Sequence, residues 1–156
     1  MFYQQLETSV IDDESLPWIP FKPYADDVFL KYFKLDPTRG EMIVLMKAPA
    51  GKQLPRHQHS GTVIAYTLAG RWKYAEHDWI ATPGSVVFET AASSHTPEVV
   101  CTEGEVLVLN IIVGDLIFLT PDDEVMAIEN WKTALQRYLS HCEQAGIEPR
   151  DITAFR

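Results

Sequence analysis

Three histidines carry the spacing from which chemistry could be built. His57 and His59 stand one residue apart in PRHQH (55–59), and His95 follows in SSHT, in a chain with only five histidines. On an extended strand, residues i and i+2 project from the same face. His57 and His59 can therefore turn two imidazoles toward one point while Gln58 faces away. Imidazole nitrogens suit iron, zinc, copper and nickel, so the pair indicates a class of metals rather than one ion. His95 arrives after a Pro-Gly turn, an apolar strand and a small-residue turn in TPGSVVFETAASSHT (82–96). If the two histidine segments are neighbouring antiparallel strands of a small barrel, all three rings meet inside it.

A fourth donor is sought by parity along RWKYAEHDWI (71–80), read as a strand. Arg71, Lys73, Ala75 and His77 share one face, while Trp72, Tyr74, Glu76 and Asp78 share the other. The first set reads as solvent-facing and the aromatic pair as interior, which turns Glu76 inward. A lone carboxylate there is costly unless it is paired or on a metal. Glu76 is thus expected as the fourth ligand, with a catalytic part, or as a hydrogen-bond acceptor beside the metal. Glu89 is held in reserve because VVFE (86–89) does not settle its face, and water is the third option. His77 has the wrong parity and reads as a surface residue, as does His141. Cys101 and Cys142 read as small core residues.

These residues need strands to hold them, and strand signals fill the first three quarters of the chain. VFLKYFKL (28–35), EMIVLMKA (41–48), TVIAYTLA (62–69), RWKYAEHDWI (71–80), SVVFE (85–89) and EVLVLNIIV (105–113) are rich in β-branched and aromatic residues. DPTRG, APAGK, Gly70, TPG and TEG separate them as turns. LIFLTPDDEVMAIE predicts a further hairpin turning at Pro121, Asp122 and Asp123. The period then changes. Trp131, Leu135, Tyr138, Leu139 and Cys142 fall on one helical face, with Asn130 as N-cap and Gly146 as stop. The expectation is an all-β barrel or sandwich with one C-terminal helix. It forms a single domain over 1–156, its core about 28–120 and its helix about 130–145.

The bulk numbers exclude several roles. At 46% hydrophobic and 22% charged residues the chain has the composition of a soluble domain. Its formal net charge of −9 opposes binding to nucleic acid or to an anionic membrane surface. No apolar run approaches the ~20 residues that span a bilayer. The N-terminus lacks a signal-peptide pattern, so the cytoplasm is the expected compartment.

Taken together, GKQLPRHQH, Gly70 and PGSVVFETAASSH resemble the paired motifs of the cupin superfamily, small jelly-roll barrels (double-stranded β-helices) that bind a metal. Gly51, with five residues between it and His57, fits the first motif; Pro83, Gly84 and His95 fit the second. The family's glutamate three or four residues after the second histidine is missing, since Ser60 to Ile64 contain no acid. Within the superfamily, HxHSG and GxWxYxEHDW are most similar to the branch of 2,4'-dihydroxyacetophenone dioxygenase and the acetylacetone-cleaving enzyme. The zinc cupin of certain anti-sigma factors is also similar. The resemblance implies a non-haem Fe(II) enzyme, with zinc or nickel as alternatives. A β-diketone or hydroxyaryl ketone would chelate the iron as its enolate, and dioxygen would cleave a C–C bond. Trp72, Tyr74 and Phe88 would line the substrate pocket. The resemblance also implies a homodimer, formed through the N-terminal strand and the helix. The alternatives are a zinc-binding sensor or regulatory cupin and a non-catalytic cupin that binds a small metabolite.

Overall fold

The computed structural model describes residues 8–154. Twelve strands and one long helix follow one another in it. They are β1 (Ile19–Pro20), β2 (Phe29–Asp36), β3 (Glu41–Pro49), β4 (His57–His59), β5 (Val63–Ala69), β6 (Trp72–Tyr74), β7 (Val86–Glu89), β8 (Ser94–His95), β9 (Pro97–Val99), β10 (Glu105–Val113), β11 (Leu116–Leu119), β12 (Val125–Glu129) and α1 (Trp131–Ala145). A six-stranded sheet has the order β1-β2-β3-β10-β5-β7. A four-stranded sheet has the order β12-β11-β4-β8, and β6 pairs with β9 in a two-stranded ribbon. The order is far from sequential and every pairing is antiparallel, as a jelly roll requires. No helix among the described residues is long and apolar enough to cross a membrane.

Alternation along the strands explains which side becomes core. In β5, Val63, Ala65 and Thr67 are buried while Ile64, Tyr66 and Leu68 are exposed. β10 lies between β3 and β5 and contributes Val106, Val108 and Ile112 to the interior. Phe118 of β11 reaches the same core from the other sheet and stacks on Tyr24 at 4.1 Å between ring centroids. The helix sits outside the barrel and buries Ala134, Tyr138 and Cys142. Asn130 caps it by accepting from the N–H groups of Lys132 and Thr133, and Gly146 ends it in the left-handed conformation.

One predicted element is much shorter than its composition suggests. The run 71–80 is a strand only over Trp72–Tyr74; the chain then turns, the His77 N–H donating to the Tyr74 carbonyl at 3.0 Å. It returns so that Ala81 exchanges both backbone hydrogen bonds with Trp72. β8 pairs antiparallel with β4, as the barrel reading of the two histidine segments expects, whereas β9 is an additional strand. Thr96, between them, is where the chain leaves the four-stranded sheet for the ribbon.

Gly70 makes the sharp exit from β5 possible. Its φ is +76°, and a Cβ there would lie 2.7 Å from the Glu105 carbonyl oxygen and 2.7 Å from the Val106 Cα. Both obstacles are backbone and cannot rotate away. Gly70→Ala is therefore expected to destabilise the fold by about 1–3 kcal/mol, through the positive φ and the clash together. Urea denaturation of the variant beside wild type measures it; an unchanged midpoint would contradict this account of the turn.

Candidate metal centre

The short strand β4 holds the centre. It pairs with β11 on one side, setting Phe118 opposite His57 and Leu116 opposite His59, and with β8 on the other, setting His95 opposite His57. The alternation of HQH buries both histidines and leaves Gln58 half-buried. Directly opposed residues of an antiparallel pair share a face, so the register brings the His95 ring to the other two. Ring centroids lie 4.9 Å (His57–His59), 4.7 Å (His57–His95) and 5.3 Å (His59–His95) apart. One nitrogen from each ring falls within 4.8 Å of the others, and all three residues are buried.

The carboxylate in this cluster is Glu89, not Glu76. β7 pairs with β5 so that Val63, which faces the core, is opposite Glu89, while Ile64, which faces out, is opposite Phe88. Glu89 therefore points inward. Its Oε2 lies 3.1 Å from Nε2 of His59 and 3.2 Å from Nε2 of His95. Yet that oxygen and the His95 Nε2 have no hydrogen-bond partner, although both are buried. Donors that share one metal at 2.0–2.2 Å stand roughly 3 Å apart, which is the spacing seen here. A buried polar atom without a partner is costly, and an ion between these atoms would satisfy both. The residues present fit a divalent metal.

Neighbouring groups hold the donors in place. The His57 Nδ1 lies 2.9 Å from the Pro55 carbonyl, which can only accept. Nδ1 therefore carries the proton, and Nε2 keeps its lone pair for a metal. Tyr74 donates its hydroxyl to Glu89 Oε1 and stacks on His95, with ring centroids 3.8 Å apart and planes 10° from parallel. Burial, reinforced by His59 and His95, pushes the His57 imidazole down to about 3; burial takes His59 down to about 4 against the pull of Glu89. Both rings are thus neutral at pH 7, the form that binds a metal. Burial pushes the Glu89 carboxyl up, but His95, His59 and the Tyr74 hydroxyl outweigh it and hold the group below its ordinary value. Burial and the neighbouring Glu89 raise the Tyr74 phenol well above its ordinary value, so it stays a donor.

Glu76 is engaged elsewhere. Its Oε1 accepts from Arg56 at 2.8 Å and from the Thr96 hydroxyl at 3.0 Å, and its Oε2 accepts from the Thr96 N–H at 2.9 Å. The inward parity assigned to it rested on an extended chain through residue 76, and β6 ends at Tyr74. Trp72 and Tyr74 do face inward, with the Trp72 indole donating to Thr67 at 2.8 Å. Phe88 does not: it is 64% exposed and stands at the rim.

Two spaces meet at the centre. An interior cavity of about 110 Å³ runs from His57, His59 and Glu89 past apolar residues such as Met46, Val44 and Val108, with Arg137 and Glu129 among its walls. That last pair is a partly buried ion pair, Arg137 donating to both Glu129 oxygens at 2.8 and 2.6 Å. An outer cleft of about 480 Å³ is bounded by His77, Trp79, Val86 and Phe88 and reaches Tyr74, Glu89 and His95.

Comparison with known proteins follows the fold. The family model described as the ChrR cupin-like domain matches residues 6–112. An RmlC-like cupin protein from Ralstonia eutropha JMP134 is 50% identical over 100% of both chains, with a TM-score of 0.96. An acetylacetone dioxygenase from Acinetobacter johnsonii is 20% identical, with a TM-score of 0.73 over 86% of this chain and 91% of that one. The Rhodobacter sphaeroides SigE–ChrR anti-sigma complex is 18% identical, with a TM-score of 0.52 over 65% of this chain and 50% of that one. Among curated proteins, none matches the chain.

The neutral imidazoles give the metal-free protein a definite acid sensitivity. His57 and His59 have folded-state values below the ordinary 6.5, so the unfolded state binds more protons as pH falls. Their contribution is fully present above about 6.5 and is lost as pH falls through about 4 and then 3. Chemical denaturation of metal-free protein at a series of pH values is expected to show this fall, and His57→Gln a shallower one. Identical slopes in the two proteins would contradict it.

Proposed function

With the chain a member of the ChrR cupin-like family, we propose that it is a metal-dependent cupin of the non-haem Fe(II) dioxygenase kind, cleaving a C–C bond of a β-diketone or hydroxyaryl ketone. The observation that carries this reading is the cluster of three buried imidazoles within 4.8 Å of one another, two of them 3.1 and 3.2 Å from a Glu89 oxygen that has no hydrogen-bond partner. His57, His59 and His95 hold the metal, and Glu89 takes the place that sequence parity gave to Glu76. Iron bound there would supply Lewis acidity and open positions for a chelating ketone and dioxygen.

The chain's own residues supply the rest. Tyr74 fixes the Glu89 carboxylate and the plane of His95, so two donors keep their direction while ligands exchange. Glu89, ionised and carrying one free oxygen, is placed to bind the metal or to hold the proton of an enolisable ketone. The apolar walls around Trp72 and Val108 keep water from the inner side. The likeness to acetylacetone dioxygenase in fold is consistent with this chemistry.

Metal analysis of anaerobically purified protein, wild type beside His57→Ala and Glu89→Gln, tests the reading. Iron is expected in wild type and lost with the histidine. Iron-reconstituted wild type is expected to consume oxygen with a β-diketone or a hydroxyacetophenone. Tight zinc with no oxygen uptake would instead support a sensor or binding cupin, and no metal in any sample would overturn the site itself.

We also propose that the protein is a homodimer, through a different face from the one sequence suggested. Ile64, Tyr66 and Leu68 of β5 and Val86 and Phe88 of β7 are all exposed on one side of the sheet, beside its free edge. Clusters of this kind mark association sites. Light scattering after size exclusion is expected to give twice the chain mass, and Phe88→Asp with Tyr66→Asp to halve it. A wild-type monomer would contradict the proposal.

A further inference from the structure

Glu76 lies outside the donor cluster, yet it touches both strands that carry the histidines. Thr96 follows His95 and Arg56 precedes His57; because His57 is opposite His95, Arg56 stands opposite Thr96, one step outside the pair. Arg56 and Thr96 thus flank the two histidines at the outer end of the pair. The Glu76 carboxylate bridges them there, with one bond to Arg56 and two to Thr96. The preceding residue completes the grip, since the Ala75 N–H donates to the Thr96 carbonyl at 2.9 Å. Every polar group of Thr96 is thus held by residues 75 and 76. Arg56 is anchored in turn by Asp123 at 2.7 Å, on the turn between β11 and β12.

This clasp closes the outer end of the pairing that sets the distance between ligands. β8 is two residues long, at the edge of its sheet; the registered pairs His57–His95 and Gln58–Ser94 are extended inward by backbone bonds from His59 to Ser93 and Ala92, whereas the outer end is held by the clasp. Just beyond His95 the chain changes sheets at Thr96. A shift of that crossing would carry His95 away from His57 and His59 without disturbing the large sheet.

We propose that Glu76 is a positioning residue for the metal centre: through Arg56 and Thr96 it fixes the spacing of His95 from His57 and thereby sets the affinity and geometry of the bound ion. The proposal rests on the metal reading above. Groups that orient ligands from behind are worth roughly 10–100-fold in metal affinity, and a carboxylate that ties two ligand strands together belongs in that range.

The test is titration of metal-free protein with Co(II), followed by its visible absorption, in wild type, Glu76→Ala and Glu76→Gln, with thermal unfolding of each metal-free protein alongside. Glu76→Ala is expected to bind Co(II) roughly 10–100-fold more weakly and with altered absorption bands. Glu76→Gln, which keeps an acceptor for the Thr96 N–H, should fall between. Asp27→Ala, which removes the Lys52–Asp27 ion pair away from the histidine strands, should match wild type in both readouts. A merely structural Glu76 would lower the unfolding temperature yet leave affinity and spectrum as in wild type, and that result would overturn the proposal. If Glu76→Ala does not fold, the glutamine variant decides by the same two readouts. Failure of wild type itself to bind Co(II) would overturn the metal reading, and this inference with it.

Discussion

The pairing of His57 with His95 is the constraint on which the site depends. Two residues on a short edge strand meet a three-residue strand in one register, and that register alone turns three imidazoles toward a common point. A slip by one residue would put His95 on the opposite face. Much of the surrounding structure serves to prevent the slip: β11 flanks β4 on its other side, the His59 N–H donates to the Ser93 carbonyl, and the His59 carbonyl accepts from the Ala92 N–H. The long sheet built on β10 gives these short elements something rigid to lie against.

Holding four polar groups inside an apolar barrel opposes stability, and the molecule limits the cost in ways visible at each residue. The His57 and His59 imidazoles are kept neutral by burial and by their imidazole neighbours. Tyr74 satisfies one Glu89 oxygen, and a backbone carbonyl satisfies the His57 Nδ1. Among the described residues, the buried side-chain atoms left without a partner are Glu89 Oε2, His95 Nε2, His59 Nδ1 and Ser93 Oγ. Two of these, on Glu89 and His95, face each other where a ligand would meet them.

Most of this was legible in the chain because it is written in short-range patterns. The i, i+2 rule placed His57 and His59 together, and the Pro-Gly turn with its strand framed His95. Alternation put Trp72 and Tyr74 inside, and the helix and its caps followed from period and from Asn130 and Gly146. Which carboxylate faces the histidines was not legible, for one reason with two faces. Parity holds only while a strand continues, and nothing in YAEHD announces that β6 stops at Tyr74. Glu89 needed the opposite kind of information, the register of β7 on β5, which pairs Val63 with Glu89 across a long loop. Alternation is a local property of sequence, whereas register is a property of the assembled sheet. The same register turns Phe88 outward, where it bounds the outer cleft rather than the interior cavity.

The contrast between long and short strands also bears on where the fold opens. β10 is hydrogen-bonded along its length to β3 and β5, whereas the histidines and Glu89 sit on segments of two to four residues, of which β7 and β8 are sheet edges. Free energies of local opening scale with such differences, and cooperative units separate where few bonds cross. The histidine-bearing margin can therefore open as a subglobal unit while the six-stranded sheet keeps its protons from exchange. The three imidazoles thus ride on the part of the fold that has the fewest backbone bonds of its own.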